Sequence, residues 1–194
     1  MTTNQKTLAT PLRVIVFTGG RGSSSISNQL VGVAGVKLQF IINGYDNGLS
    51  TGEVRRFLGD SLGPSDFRKN ASRLALLLAS CQPELITLLD LRLPDPCSDA
   101  EALTYLGGID SVNLADGAIA QSTFGDTLKI NLDALTKETR KALAARVEQF
   151  LSFKRAESRS FKFADCSLGN IIFAGSYLLR KRFKSRNWRW NSTR

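Results

Sequence analysis

The chain has 194 residues, 42% hydrophobic and 22% charged, a balance that fits one folded domain and excludes wholesale disorder. It contains no histidine, which excludes a Ser-His-Asp or Cys-His catalytic pair and any histidine-ligated metal within these residues. The net charge is +9, but seven cations lie in residues 180–194 without one acid, leaving the other 179 residues near +2.

Residues 1–11 read as a flexible leader, with a cleaved targeting segment as the alternative. Residues 12–18 form a β-branched run that ends at a double glycine, the pattern of a buried parallel strand. Ser23, Ser24 or Ser25 would cap a short helix through Leu30 and Val33 that Gly35 ends. Residues 37–43 are a second strand, which completes a βαβ unit and makes the fold class α/β with parallel strands.

Thr51 is placed to cap a helix over residues 53–58. Ser65 starts a longer one after Gly63-Pro64, with Phe67, Leu74, Leu77 and Leu78 as its apolar stripe. Residues 85–93 fit helix or strand, and residues 98–106 a helix with Asp99 and Glu101 in its first turn. Residues 107–126 read as loops with short strands. The clearest helix spans residues 132–153, with Leu135, Leu143, Val147, Phe150 and Leu151 on its apolar face. Residues 161–164 give a short strand, followed by a loop into a helix that ends at Leu179. The basic residues 180–194, which hold both tryptophans, read as a disordered tail.

No run approaches the roughly 20 apolar residues that span a bilayer, so no membrane partner is expected. Cys81, Cys97 and Cys166 are odd in number and show no paired spacing, which fits reduced thiols in a cytoplasmic protein.

Four segments carry candidate chemistry. Gly19-Gly20-Arg21-Gly22-Ser23 lies at a strand-to-helix turn, where main-chain amides meet anions without an obstructing Cβ; an ordinary tight turn fits equally. It lacks the Gly-Lys-Ser/Thr of a Walker loop, and Ser25 stands where a dinucleotide fingerprint has its third glycine. Asp46-Asn47-Gly48 ends the second strand; its carboxylate suits Mg²⁺, a ribose hydroxyl or an attacking alcohol, and its composition also suits a plain turn. Asp66 and Asn70, four apart, share a helix face with Arg68 and Lys69 nearby, as a solvated helix start also would. Gly169-Asn170, beside Asp165, repeats the pairing of a small residue and an amide at a helix start, where Ser167 or Asn170 would also serve as a cap.

In order, Phe17-Thr18-Gly19-Gly20-Arg21-Gly22-Ser23, Asn43-Gly44-Tyr45-Asp46-Asn47-Gly48-Leu49-Ser50-Thr51-Gly52, Leu62-Gly63-Pro64-Ser65-Asp66-Phe67-Arg68-Lys69-Asn70 and Phe163-Ala164-Asp165-Cys166-Ser167-Leu168-Gly169-Asn170 resemble the 2-phospho-L-lactate transferase (CofD) family, whose relatives include YvcK-type gluconeogenesis factors. The resemblance covers residues 12–179 and implies a Rossmann-like three-layer fold with a mostly parallel sheet, incomplete relative to the family, followed by an off-family tail over 180–194. It implies that Gly19, Gly20, Gly22 and Ser23 cradle phosphates and that Asp46 and Asp66 are catalytic, Asp46 also holding Mg²⁺. Asn47, Gly48, Ser50, Arg68, Gly169 and Asn170 would line the nucleotide pocket.

The implied ligand is a nucleoside diphosphate in a phospholactyl-transferase reaction, or a UDP-sugar in a regulator without catalysis. Asn47 stands where the family has a second acid, which weakens metal-assisted transfer because an amide brings no charge. Nucleic-acid binding through the arginines and tryptophans of residues 180–194 is a third, less favoured alternative. A homo-oligomer stays open.

Overall fold

The computed structural model describes residues 10–20, 22–59, 61–109, 122–157 and 159–191, with side chains in the last helix described as far as Lys181. Strand β1 (Leu12–Thr18), helix α1 (Ser24–Val31) and strand β2 (Val36–Ile42) form the expected βαβ unit. The strands pair in parallel from Leu12↔Val36 to Thr18↔Ile42, so both glycine-rich loops leave the same end of the sheet. Ser23 is the N-cap of α1 without a side-chain cap bond, and the helix stops at Gly32. Gly35 instead makes the turn into β2, at φ 79°, a conformation glycine adopts at no steric cost.

The expectation that β1 is buried is overturned. Only Thr18 is buried along it, while Phe17 is 77% exposed and Leu12 and Ile15 are 55% exposed. Among the described residues the sheet has two strands, too few to enclose a face of their own.

The apolar core lies in the helices: α2 (Leu49–Leu58), α3 (Pro64–Leu77), α4 (Pro83–Asp90), α5 (Asp99–Gly107), α6 (Thr123–Ala134), α7 (Lys137–Ala156) and α8 (Leu168–Asn191). Phe57 centres it, with ring centroids of Phe150 and Phe161 at 5.3 and 5.1 Å in tilted and edge-on arrangements. Leu135, Leu143, Val147, Phe150 and Leu151 are buried as expected. The ambiguous residues 85–93 resolve into α4, followed by a single antiparallel bridge between Arg92 and Ser167. No strand forms over 161–164; the pairing falls on Ser167. Helix α5 opens with a capping box between Ser98 and Glu101.

Three further boundaries differ from expectation. Of the expected loop region, residues 110–121 lie outside the described residues, and Ser122 caps α6, so helix already starts at Thr123. The single helix expected over 132–153 is two, because Leu135 turns extended and Thr136 caps α7, its Oγ1 accepting from the Thr139 amide at 3.2 Å. Gln82 bridges that break: its Nε2 donates to the Ala134 carbonyl at 3.0 Å and its Oε1 accepts from the Thr136 amide at 3.2 Å. Helix α8 does not end at Leu179 but runs through Asn191, so the first residues of the basic segment are helical. Among the described residues, no helix is long and apolar enough to cross a membrane.

Helices α7 and α8 approach closely at Gly175, where a Cβ would stand 1.9 Å from the Arg146 carbonyl oxygen. Gly175→Ala is therefore expected to lower unfolding stability by about 1–3 kcal/mol through overpacking. Thr136→Ala, which removes the cap, is expected to cost about 1 kcal/mol. Denaturant midpoints check both, and wild-type midpoints would contradict the packing and capping assigned here.

Candidate functional site

The four candidate segments meet at the carboxyl end of the strands. The Asp46 carboxylate forms the turn expected of Asp46-Asn47-Gly48, Oδ1 accepting from the Gly48 amide at 3.0 Å. Its Oδ2 accepts from Thr51 Oγ1 at 3.3 Å. Thr51 is thus not the cap of α2, a position held by Gly48, but a first-turn residue that points back to Asp46.

From Thr51 a buried hydrogen-bond chain runs through the hydroxyl of Ser65 to Asn170, whose Nδ2 donates to Ser65 Oγ at 3.1 Å and to Ser50 Oγ at 2.9 Å. Asn170 Oδ1 accepts from Arg68 Nε at 3.3 Å, and Arg68 in turn forms an ion pair with Asp90. Because the Asp46 carboxylate only accepts, each hydroxyl in the chain donates toward it. Ser50 Oγ also accepts from the Ser167 amide at 3.2 Å and donates to Cys166 Sγ at 3.2 Å. Burial pushes the Cys166 thiol up to about 11, which makes it a packed group rather than a nucleophile.

Helix α3 turns its polar residues inward. Ser65, Asp66, Arg68, Asn70 and Ser72 are all buried, while Leu77 and Leu78, expected in its apolar stripe, are 44% and 60% exposed. Asn70 Nδ2 donates to the Gly19 carbonyl at 2.8 Å, tying the first loop to α3. Asp66 lies against the same loop: a Cβ at Gly19 or Gly20 would come within 3.4 or 3.3 Å of its carboxylate oxygens. Among the described residues nothing hydrogen-bonds that carboxylate. Burial first, and then the neighbouring Asp46 charge, raise its pKa, with Lys69 opposing them.

Ser50, Asn170, Arg68, Asp46 and Asp66 are therefore assembled with Gly19 and Gly20. Other expected positions are engaged differently. Nothing lies within 4 Å of a Cβ placed on Gly22, and Ser23 hydrogen-bonds the Thr18 hydroxyl. Asn47 Oδ1 accepts from Arg55 at 3.3 Å. Gly169 has a packing role, since a Cβ there would fall 2.3 Å from Arg68 Cδ and 2.4 Å from the Leu89 carbonyl oxygen. The side chains of residues 182–194, on which the nucleic-acid expectation rests, and Arg21 of the first loop lie outside the described residues.

Thr51 and Asp90 belong to the arrangement without having been singled out for a site from the sequence, whereas Ser65 and Asn70 lie in the third candidate segment. Their signal was helical spacing among polar rather than apolar residues: Asp66, Asn70 and Arg73 recur on one stripe of α3.

No protein-family model matches this chain, and neither does a curated protein or a solved structure.

Two outcomes test the geometry. Asp66→Asn is expected to raise stability at pH 7, because the folded state disfavours the Asp66 charge. Since the folded pKa lies above 3.8, the gain is full above that raised value and vanishes as pH falls below 3.8, where both states become neutral. A variant less stable than wild type at pH 7 would contradict the unpartnered carboxylate. Asn170→Ala, which strands Ser65 and Arg68, is expected to cost about 1–3 kcal/mol in denaturant unfolding.

Proposed function

We propose that this protein binds a nucleoside-diphosphate ligand where its first two loops meet α3 and α8, and that its βαβ unit belongs to a Rossmann-like three-layer fold. The observation that carries this reading is the convergence of Gly19-Gly20, Asp46 and Asp66 at the carboxyl end of a parallel strand pair, held by the buried Asn170 network. Ligands of α/β folds sit at that end of the strands.

Two carboxylates alone would repel a diphosphate, so a divalent cation fits the reading. Asp66 supports it: it is 7% exposed, has no hydrogen-bond partner among the described residues and feels the charge of Asp46. Mg²⁺ is commonly held by one or two carboxylates together with substrate phosphates, and Asp46 would be such a ligand. When bound, the cation would offset phosphate charge and polarise the transferring group.

Within the proposed activity, an alcohol attacks the phospholactyl phosphorus of a nucleoside-diphosphate adduct, and the P–O bond to the nucleoside monophosphate breaks as that monophosphate leaves. Asp66 accepts the proton of the attacking hydroxyl. Its raised pKa makes the carboxylate a stronger proton acceptor than an ordinary aspartate. The Thr51–Ser65–Asn170 chain keeps the Asp46 carboxylate oriented.

Calorimetric titration of the full chain with GDP and with UDP-N-acetylglucosamine, each with Mg²⁺ and with chelator, tests this. Saturable GDP binding that strengthens with Mg²⁺ and weakens at least about tenfold in Asp46→Asn is expected, that factor corresponding to about 1.4 kcal/mol. The absence of nucleotide binding under every condition overturns the reading. UDP-sugar binding indifferent to chelator and to Asp46→Asn replaces it with a regulator that lacks catalysis, the reading that Asn47, an amide in the second loop, favours.

A further inference from the structure

Beyond the carboxylate pair, on the other side of Gly20, a cleft of about 360 Å³ opens between α3 and α4. Its walls include Gly20, Ser24, Lys69, Ser72, Arg73 and Arg92. The space exceeds by far the ~30 Å³ share of one liquid water.

Its chemistry is one-sided. Arg68, Lys69, Arg73 and Arg92 all line it, against one carboxylate, Asp90. Two of these cations are neutralised: Arg68 by Asp90, and Arg92 by Asp165, whose Oδ2 accepts from Nη2 at 2.8 Å. Lys69 faces the field of Asp66. Arg73 has no carboxylate partner among the described residues; its Nη2 donates to Asn70 Oδ1 at 2.7 Å, which leaves its Nε buried and unpartnered.

A second observation is independent of charge. Ser72 is 6% exposed and lines the cleft, yet its Oγ has no hydrogen-bond partner among the described residues. Buried polar atoms are nearly always paired, and an unpaired one costs about 1–3 kcal/mol. Two orphaned donors, one on a cation, beside a loop whose glycine carries no Cβ are complementary to an oxyanion and to nothing apolar.

We propose that this cleft is an oxyanion subsite that takes a phosphate or pyrophosphate group through Arg73, Ser72 and Lys69. The proposal rests on the nucleotide reading in one respect: it seats the diphosphate of that ligand here, beside the carboxylate pair rather than upon it. Both orphaned atoms are closed to solvent, so a group bound there engages Arg73 Nε and the Ser72 hydroxyl once these side chains turn toward it.

The test is pyrophosphate binding to the full chain in chelator, read by calorimetry and by the shift of the unfolding midpoint. Saturable binding is expected, weakened at least about tenfold in Arg73→Met and measurably in Ser72→Ala and Lys69→Met. Ser72→Ala removes an unpartnered hydroxyl, so it is expected to fold with at least wild-type stability; lost binding in a stable protein then reports on the site, even if Arg73→Met fails to fold. Pyrophosphate binding that Ser72→Ala and Lys69→Met leave unchanged overturns the proposal. So does nucleotide binding without any pyrophosphate binding, which leaves the nucleotide reading standing. Pyrophosphate binding lost in Ser72→Ala, without nucleotide binding, supports the subsite and overturns the nucleotide reading instead.

Discussion

One buried amide organises the functional end of this protein. Asn170 is 1% exposed and joins the first turn of α8 to the first turns of α2 and α3, through Ser50, Ser65 and Arg68. Asparagine suits the position because it both donates and accepts: its NH₂ serves two hydroxyls while its carbonyl oxygen takes the guanidinium. An aliphatic residue of similar volume would leave those partners unpaired, where the low dielectric makes that costly. The preceding Gly169 completes the junction, since only a missing side chain lets Arg68 and the Leu89 carbonyl come so near.

The molecule divides its cohesion between two kinds of contact. The helices close on a hydrophobic core around Phe57, Phe150, Phe161 and Phe163, where edge-on rings fill the space. Among the described residues the strand pair has no comparable cover, as the exposure of Phe17 shows. Polar contacts tether it at its carboxyl end: Asn70 to the Gly19 carbonyl, and the Gly63 amide to the Gly44 carbonyl at 2.7 Å. The loops proposed to hold ligand are thus also the attachment of the sheet, and their geometry follows the helical core rather than the strands alone.

Charge is sorted across Gly20. On one side the Asp46 charge disfavours ionisation of Asp66; on the other side the α3–α4 cleft collects arginine and lysine. Helix α3 supplies both sides because Asp66 lies in its first turn and Arg73, on the same stripe, about two turns further along. Asp66 and Arg73 therefore serve opposite poles of one short helix. A diphosphate with a divalent cation has that same polarity, which is why the two poles together favour such a ligand over a simple anion.

From the residues alone the βαβ opening, the helix over 98–106 with Asp99 and Glu101 in its first turn, and the apolar face of α7 were legible, because each depends on local periodicity or on charge at a helix start. So was the candidacy of Asp46, an acid before a glycine just after a strand, and of Asp66, four residues from Asn70 at a helix start. The break at Thr136 was not, because it depends on Gln82, more than fifty residues away in sequence, to satisfy the exposed backbone groups. Nor was the inward polar face of α3: its leucines mark an apolar stripe by composition, and only the placement of α8 turns Ser65, Arg68 and Asn70 inside. Local hydrogen bonding and hydrophobic period were written in the chain; which polar groups are buried, and which of them lack partners, was decided by long-range packing.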